Sequence, residues 1–155
     1  MIRYSVEATT KSLMGSVTCG SRCGYDGEKE FTLGETLDII DAINRAIGGA
    51  GLQPIPCVVH EGVLVGRAGG DGCREKVFTM DFKWSPRSAA MESDVFHKTL
   101  MEYATRLGER MKQERVYVEF DDKTEVLKGT TRHQARRCGW RIYARTQVGL
   151  PEAAP

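Results

Sequence analysis

Residues 92–120 have the sequence ESDVFHKTLMEYATRLGERMKQERVYVEF, in which a helical pattern leads directly into a strand pattern. Apolar side chains recur at spacings of four, three, four and four residues, which places them on one side of a helix. They are Phe96, Leu100, Tyr103, Leu107 and Met111. The alternation in RVYVEF then predicts a strand over 115–120. Because a helix with one apolar stripe must bury that stripe, this stretch predicts a helix packed against a sheet.

A second helix is predicted within residues 31–49, FTLGETLDIIDAINRAIGG. Thr32 and Glu35 have the spacing of a capping box, which marks the start of a helix. Four apolar residues follow at helical spacing, namely Leu37, Ile40, Ile43 and Ile47. The pair Gly48 and Gly49 then predicts a left-handed end.

The remaining apolar segments predict strands. They lie at residues 2–9, 55–59, 63–65, 75–84, 124–127 and 139–148. We expect a hairpin turn at His60–Gly62, another at the glycine-rich residues 66–72, and a third at Asp121 and Asp122. Two helices and these strands predict an α+β sandwich of ferredoxin-like type, with both helices on one face of a mainly antiparallel sheet and extra C-terminal strands. We expect a single domain over residues 1–150 and a frayed tail over 151–155.

Composition favours one compact domain. The chain has 155 residues, of which 41% are hydrophobic and 28% charged. It contains no apolar run long enough for a membrane span and no signal-peptide pattern at its start, so we predict a cytoplasmic protein with no membrane contact. Five cysteines without an export signal indicate free thiols.

Metal and phosphate sites are weakly indicated. Cys19, Cys23, Cys57 and His60 are the candidate zinc ligands, but Cys57 and His60 would point to opposite faces of one strand. The glycines of residues 66–72 precede a strand rather than a helix, unlike those of a phosphate-binding loop. His97 is expected at the flank of a helical stripe, and no local pattern marks a catalytic residue. We therefore predict no metal, no cofactor and no catalytic residue.

The charge distribution is uneven along the chain. Residues 1–122 carry 15 Lys and Arg against 19 Asp and Glu, whereas residues 123–150 carry seven against one. Residues 132–145, RHQARRCGWRIYAR, combine arginines with aromatic residues, which is typical of phosphate contact and base stacking. The predicted binding residues are Arg132, Arg136, Arg137, Trp140, Arg141, Tyr143 and Arg145.

The basic segment leads to the functional prediction. We expect a non-enzymatic interaction module that presents a basic C-terminal strand to a polyanionic partner, either nucleic acid or an acidic protein surface. One alternative is a small enzyme or ligand-binding domain with a site between the loops at residues 19–27 and 66–72. Another is a homodimer that acts as a structural or inhibitory protein.

Overall fold

A computed structural model of the chain describes residues 12–23, 29–65, 74–84 and 90–129. In chain order the elements are β1 (Leu13–Gly20), α1 (Leu33–Gly49), β2 (Cys57–Val65), β3 (Arg74–Trp84), α2 (Ser93–Met111), β4 (Arg115–Phe120) and β5 (Lys123–Lys128). The strands form one antiparallel sheet in the order β2-β3-β1-β4-β5. The predicted ferredoxin-like α+β arrangement is therefore confirmed. No helix in the described part of the chain is long and apolar enough to cross a membrane.

Helix α2 buries the stripe that the sequence predicts. All five of its stripe residues are at most 2% exposed. On the sheet, β3 contributes Phe78, Met80, Phe82 and Trp84 to the same core. These four alternate with more polar residues, as the two-residue period of a strand requires.

Helix α1 begins as predicted but differs in its stripe and its end. The Glu35 backbone N–H donates to Thr32 Oγ1 over 3.2 Å, and the Glu35 carboxylate accepts from the Thr32 backbone N–H over 2.9 Å. The predicted core residue Leu37 is 43% exposed, and Thr36 is buried instead. The Thr36 hydroxyl donates to the Thr32 carbonyl over 2.9 Å, which makes its burial tolerable.

The end of α1 corrects a second detail. The helix continues through Gly48 and Gly49, and Ala50 caps it in a right-handed conformation with φ −84°. The left-handed residue is Gly51, with φ +76°. The chain thus turns away two residues later than the glycine pair predicts.

The central strand β1 was missed by the sequence analysis. Leu13, Gly15, Val17 and Cys19 face the helices, and the intervening residues face the other way. Small residues weaken the strand pattern here, although the alternation is present. The predicted strand at residues 2–9 lies outside the described residues, as does the one at 139–148.

Strand β2 is continuous, so the predicted turn at His60–Gly62 is wrong. His60 pairs with Thr79, Glu61 with Phe78 and Gly62 with Val77, without a break in register. The partner strand β3 has 11 residues and offers pairing along all of β2. The hairpin connection falls later, between the paired residues Val65 and Arg74.

The β4–β5 hairpin confirms the turn at Asp121 and Asp122. Their φ angles are +50° and +60°, as a two-residue turn with two left-handed residues requires. The single domain over residues 1–150 and the frayed tail over 151–155 stay predictions, because both chain ends lie outside the described residues.

Candidate functional site

The helix-free face of the sheet carries the candidate site. Within the described residues no helix covers this face, and it holds an open cavity of about 670 Å³. Its walls come from all five strands and the α2–β4 connection. We call it the open-face cavity.

The floor of the open-face cavity carries hydroxyl groups, two of which are within hydrogen-bond distance of each other. The hydroxyls of Thr18 and Thr79 lie 3.0 Å apart across the β1–β3 pair. Tyr117 lies opposite Thr18 on the other side of β1 and also lines the cavity. Hydroxyl groups and an aromatic ring on one face of a sheet suit a ligand that is both polar and planar.

At one end of the cavity Gly20 makes room for two acceptor groups. A Cβ atom at this position would lie 2.5 Å from Glu75 Oε1 and 3.0 Å from Gln113 Oε1. A glycine within a strand often marks such a close approach. Gly20 therefore allows a carboxylate and an amide oxygen to flank the same point.

Glu75 is the carboxylate of this end. It is half-buried, and burial raises the pKa of its carboxyl group, while the positive charge of Arg22 acts in the opposite direction. Glu75 forms no hydrogen bond or ion pair with another described residue. Partial burial removes part of the hydration of this carboxylate, so a ligand that brings a hydrogen-bond donor is favoured at this point.

Gln113 is the amide of this end and is 9% exposed. Its Nε2 donates to the carbonyl oxygens of Arg22, at 2.5 Å, and Met111, at 3.1 Å. These two bonds direct the other atom of the amide, Oε1, toward Gly20. No hydrogen bond from the described residues reaches this oxygen.

Cys19 and Cys57 are poorly suited to nucleophilic chemistry. Burial raises the pKa of Cys19 to about 12, and the charge of Glu75 adds to the effect. Burial likewise raises the pKa of Cys57 to about 11, with smaller contributions from Asp41 and Asp81. Because the thiolate is the reactive form, both groups are held in the unreactive one.

The candidate zinc ligands do not converge. Cys57 pairs with Phe82 and packs against the core, whereas His60 lies on the open face, 3.1 Å from Asp81. No group of three or more His, Cys, Asp or Glu within residues 12–23, 29–65, 74–84 and 90–129 could hold a metal ion.

The predicted binding residues, from Arg132 to Arg145, all lie outside the described residues. No local sequence pattern marks Glu75, Gln113 or Tyr117 as part of a site, and we did not predict Gly20. The one available signal was a glycine inside an alternating segment, which is typical of a close approach by a neighbouring group at residue 20. Glu75 and Gln113 are 38 positions apart, so only the pairing of the strands brings them together.

Two solved structures share this fold. A phage SAM lyase in complex with S-methyl-5'-thioadenosine matches with TM-score 0.58 and 15% identity, over 81% of this chain and 97% of that one. A phage SAM lyase in the apo state matches with TM-score 0.59 and 14% identity, over 84% of this chain and 100% of that one. An amidase of the hydantoinase/carbamoylase family from Burkholderia multivorans matches with TM-score 0.31 over 28% of its chain. No protein-family model matches the sequence, and no curated protein does.

The comparison corrects the functional prediction. We expected a non-enzymatic module with a basic strand for nucleic acid or an acidic protein, but the two structures that share the fold over four fifths of this chain are enzymes. The basic segment misled because five arginines within fourteen residues dominate the sequence locally. The polar groups of the sheet face are instead scattered along the chain.

Proposed function

We propose that this chain binds S-adenosylmethionine in the open-face cavity and cleaves it, releasing S-methyl-5'-thioadenosine. The fold shared with phage SAM lyases over nearly their whole length supports this proposal. The observation that carries it within this chain is the pair of acceptors at Gly20. Glu75 and Gln113 each present an oxygen to the cavity without a donor from the described chain.

The chemistry of the substrate fits these acceptors. S-adenosylmethionine carries an ammonium group, two ribose hydroxyls and an adenine amine, all of which donate hydrogen bonds. It also carries a sulfonium, so the molecule is cationic at its reacting end. A half-buried carboxylate interacts more strongly with such groups than an exposed one, because the local dielectric is lower.

The reaction breaks a carbon–sulfur bond. The substrate's own carboxylate attacks the γ-carbon of its methionine part as the bond from that carbon to sulfur breaks, and the new carbon–oxygen bond closes a lactone. Sulfur keeps the electron pair of the broken bond and leaves as a neutral thioether, so the leaving group needs no proton. Because the charge on sulfur disappears, a carboxylate held against sulfur would stabilise the substrate more than the transition state. We therefore assign Glu75 to donors that keep their hydrogens throughout and that remain in S-methyl-5'-thioadenosine, namely the ribose hydroxyls.

The test is direct turnover. Purified protein is incubated with S-adenosylmethionine, and S-methyl-5'-thioadenosine is measured by liquid chromatography with mass spectrometry. We expect product with the wild type and with Glu109→Gln, whose carboxylate lies on the exposed side of α2, and a loss of at least about tenfold with Glu75→Gln. Absence of product from the folded wild type would refute the proposal.

Two expectations from the sequence accompany this proposal. One is self-association of the chain, and the other is a location in the cytoplasm. Size-exclusion chromatography with light scattering tests the first, and fractionation of the source cells tests the second.

A further inference from the structure

The side chain of Gln113 joins three parts of the chain. It belongs to the short connection between α2 and β4, it donates to the last residue of α2, and it donates to Arg22 beyond the end of β1. Both acceptors are backbone carbonyls. A flipped amide would place its oxygen against two carbonyl oxygens, so its orientation is fixed by the protein.

The Arg22 carbonyl lies at the base of the β1–α1 connection. One residue earlier, the Ser21 N–H donates to the carbonyl of Lys76 over 2.9 Å, directly beside Glu75 in β3. At the other end of the connection, the Phe31 N–H donates a hydrogen bond to the Ser21 carbonyl over 2.7 Å. Neighbouring residues of this connection are thus held by two elements, Ser21 by β3 and Arg22 by Gln113.

We propose that Gln113 is a positioning residue, whose amide fixes the Arg22 backbone where the β1–β3 register leads toward Glu75, and so keeps the charge of Arg22 near that carboxylate. Arg22 is the charge that counteracts the effect of burial on Glu75. The other charged residues that line the cavity are Glu114, Arg115 and Glu119, all on the α2–β4 connection or β4. The lining residues from β1 and β2 are uncharged.

A merely structural role for Gln113 makes a different prediction. The backbone N–H of Gln113 donates to the Gly108 carbonyl over 2.8 Å and closes the end of α2 whatever the side chain is. If the side chain only filled space, an apolar residue of the same length would replace it without effect. Gln113→Met is that replacement, because it keeps the length and removes the donor.

Cys23 is a natural probe of the hydrogen bond between the Gln113 side chain and the Arg22 carbonyl, which we call the tether. It follows Arg22 directly, is a free thiol and packs partly against the core. Alkylation of the folded protein, with peptide mapping by mass spectrometry, gives its rate of modification separately from that of Cys57. Loss of one hydrogen bond should raise the population of the open connection about three- to tenfold, and the Cys23 rate with it.

The expected result is faster modification of Cys23 in Gln113→Met, with Cys57 unchanged. A second readout is the carboxyl titration of Glu75, followed by NMR, which should move to higher pH as Arg22 loses its fixed position. Gln53→Met, at an exposed position, is the matched control and should change neither. Gln113→Glu is a second variant for the case in which Gln113→Met folds poorly. Its ionised side chain has the same size as glutamine but cannot donate to the carbonyls, so Cys23 should again be modified faster.

Unchanged Cys23 modification in folded Gln113→Met or Gln113→Glu would overturn the proposal. Faster modification without any movement of the Glu75 titration would also overturn it, because the tether would then not act on Glu75. Any effect of Gln113 on turnover rests on the proposed function, whereas the Cys23 modification rate and the Glu75 titration can be measured without substrate. A failure of the positioning role can therefore be distinguished from a failure of the proposed function.

Discussion

The Glu75 carboxylate occupies space that only a glycine at position 20 leaves free. Its Oε1 lies 2.5 Å from the place of a Cβ atom on Gly20. Gly20 in β1 and Glu75 in β3 thus lie in close contact at the end of the open-face cavity, beside the side-chain oxygen of Gln113. This contact also shows why a glycine stands at the end of a central strand.

Gly20→Ala should therefore disturb the site more than the fold. The contacting atom is the end of a flexible side chain, so Glu75 can move aside, but its carboxylate then leaves its position beside Gln113. We expect S-methyl-5'-thioadenosine to bind at least about tenfold more weakly by calorimetry, the scale of one lost charge-assisted hydrogen bond.

Gly62→Ala is the matched control for this change. It lies in β2 and lines the same cavity, and its added Cβ would meet Val77 Cγ2 at an ordinary 3.8 Å. Affinity should stay close to that of the wild type. Equal losses in both variants would mean that crowding of the cavity, rather than displacement of Glu75, weakens binding.

Glu75→Gln should raise the stability of the unliganded protein at neutral pH. The folded pKa of Glu75 lies above its unfolded value, so the folded state binds the proton more tightly. This carboxyl therefore favours folding below the unfolded pKa, and that contribution is lost as pH rises through the folded pKa. The neutral glutamine does not undergo this loss.

Melting curves at several pH values test this sign. The variant should melt above the wild type at pH 7, and the difference should shrink as pH falls below about 4. A variant that melts below the wild type at pH 7 would show that the carboxylate stabilises the free protein, contrary to a pKa of Glu75 that burial raises despite the charge of Arg22.

The two helices allow a test of the core. Leu107 is 1% exposed in α2, so Leu107→Ala should lower the free energy of unfolding by about 2 to 5 kcal/mol. Leu37 occupies a stripe position by spacing in α1 but is 43% exposed, so Leu37→Ala should change stability by no more than about 0.5 kcal/mol. Denaturant unfolding measures both, and comparable losses would contradict the assigned packing of α1.

Leu37 also illustrates what the sequence can and cannot predict. Local patterns predicted both helices, the Thr32 capping box and five of the seven buried residues of α2, because those features depend on residues close in sequence. Whether Leu37 or Thr36 is buried depends on how α1 is rotated against the core, which spacing alone leaves open. Likewise, His60–Gly62 resembles a turn locally, but the long partner strand β3 keeps it in the sheet.

The site was less predictable than the fold. Its residues come from three elements, and each is ordinary in its own segment: a glycine, a glutamate among charged residues and a glutamine after a helix. Only the antiparallel pairing of β1 with β3, together with the return of the chain from α2, brings Gly20, Glu75 and Gln113 together.

NMR shows whether the open face of the sheet is the ligand site. The amide signals of isotopically labelled protein are followed while S-methyl-5'-thioadenosine is added. We expect the largest shifts at residues that line the cavity, namely Gly20, Glu75, Val77, Gln113 and Tyr117. Saturable shifts confined to α1 and the outer side of α2, or no shifts at millimolar ligand, would contradict it.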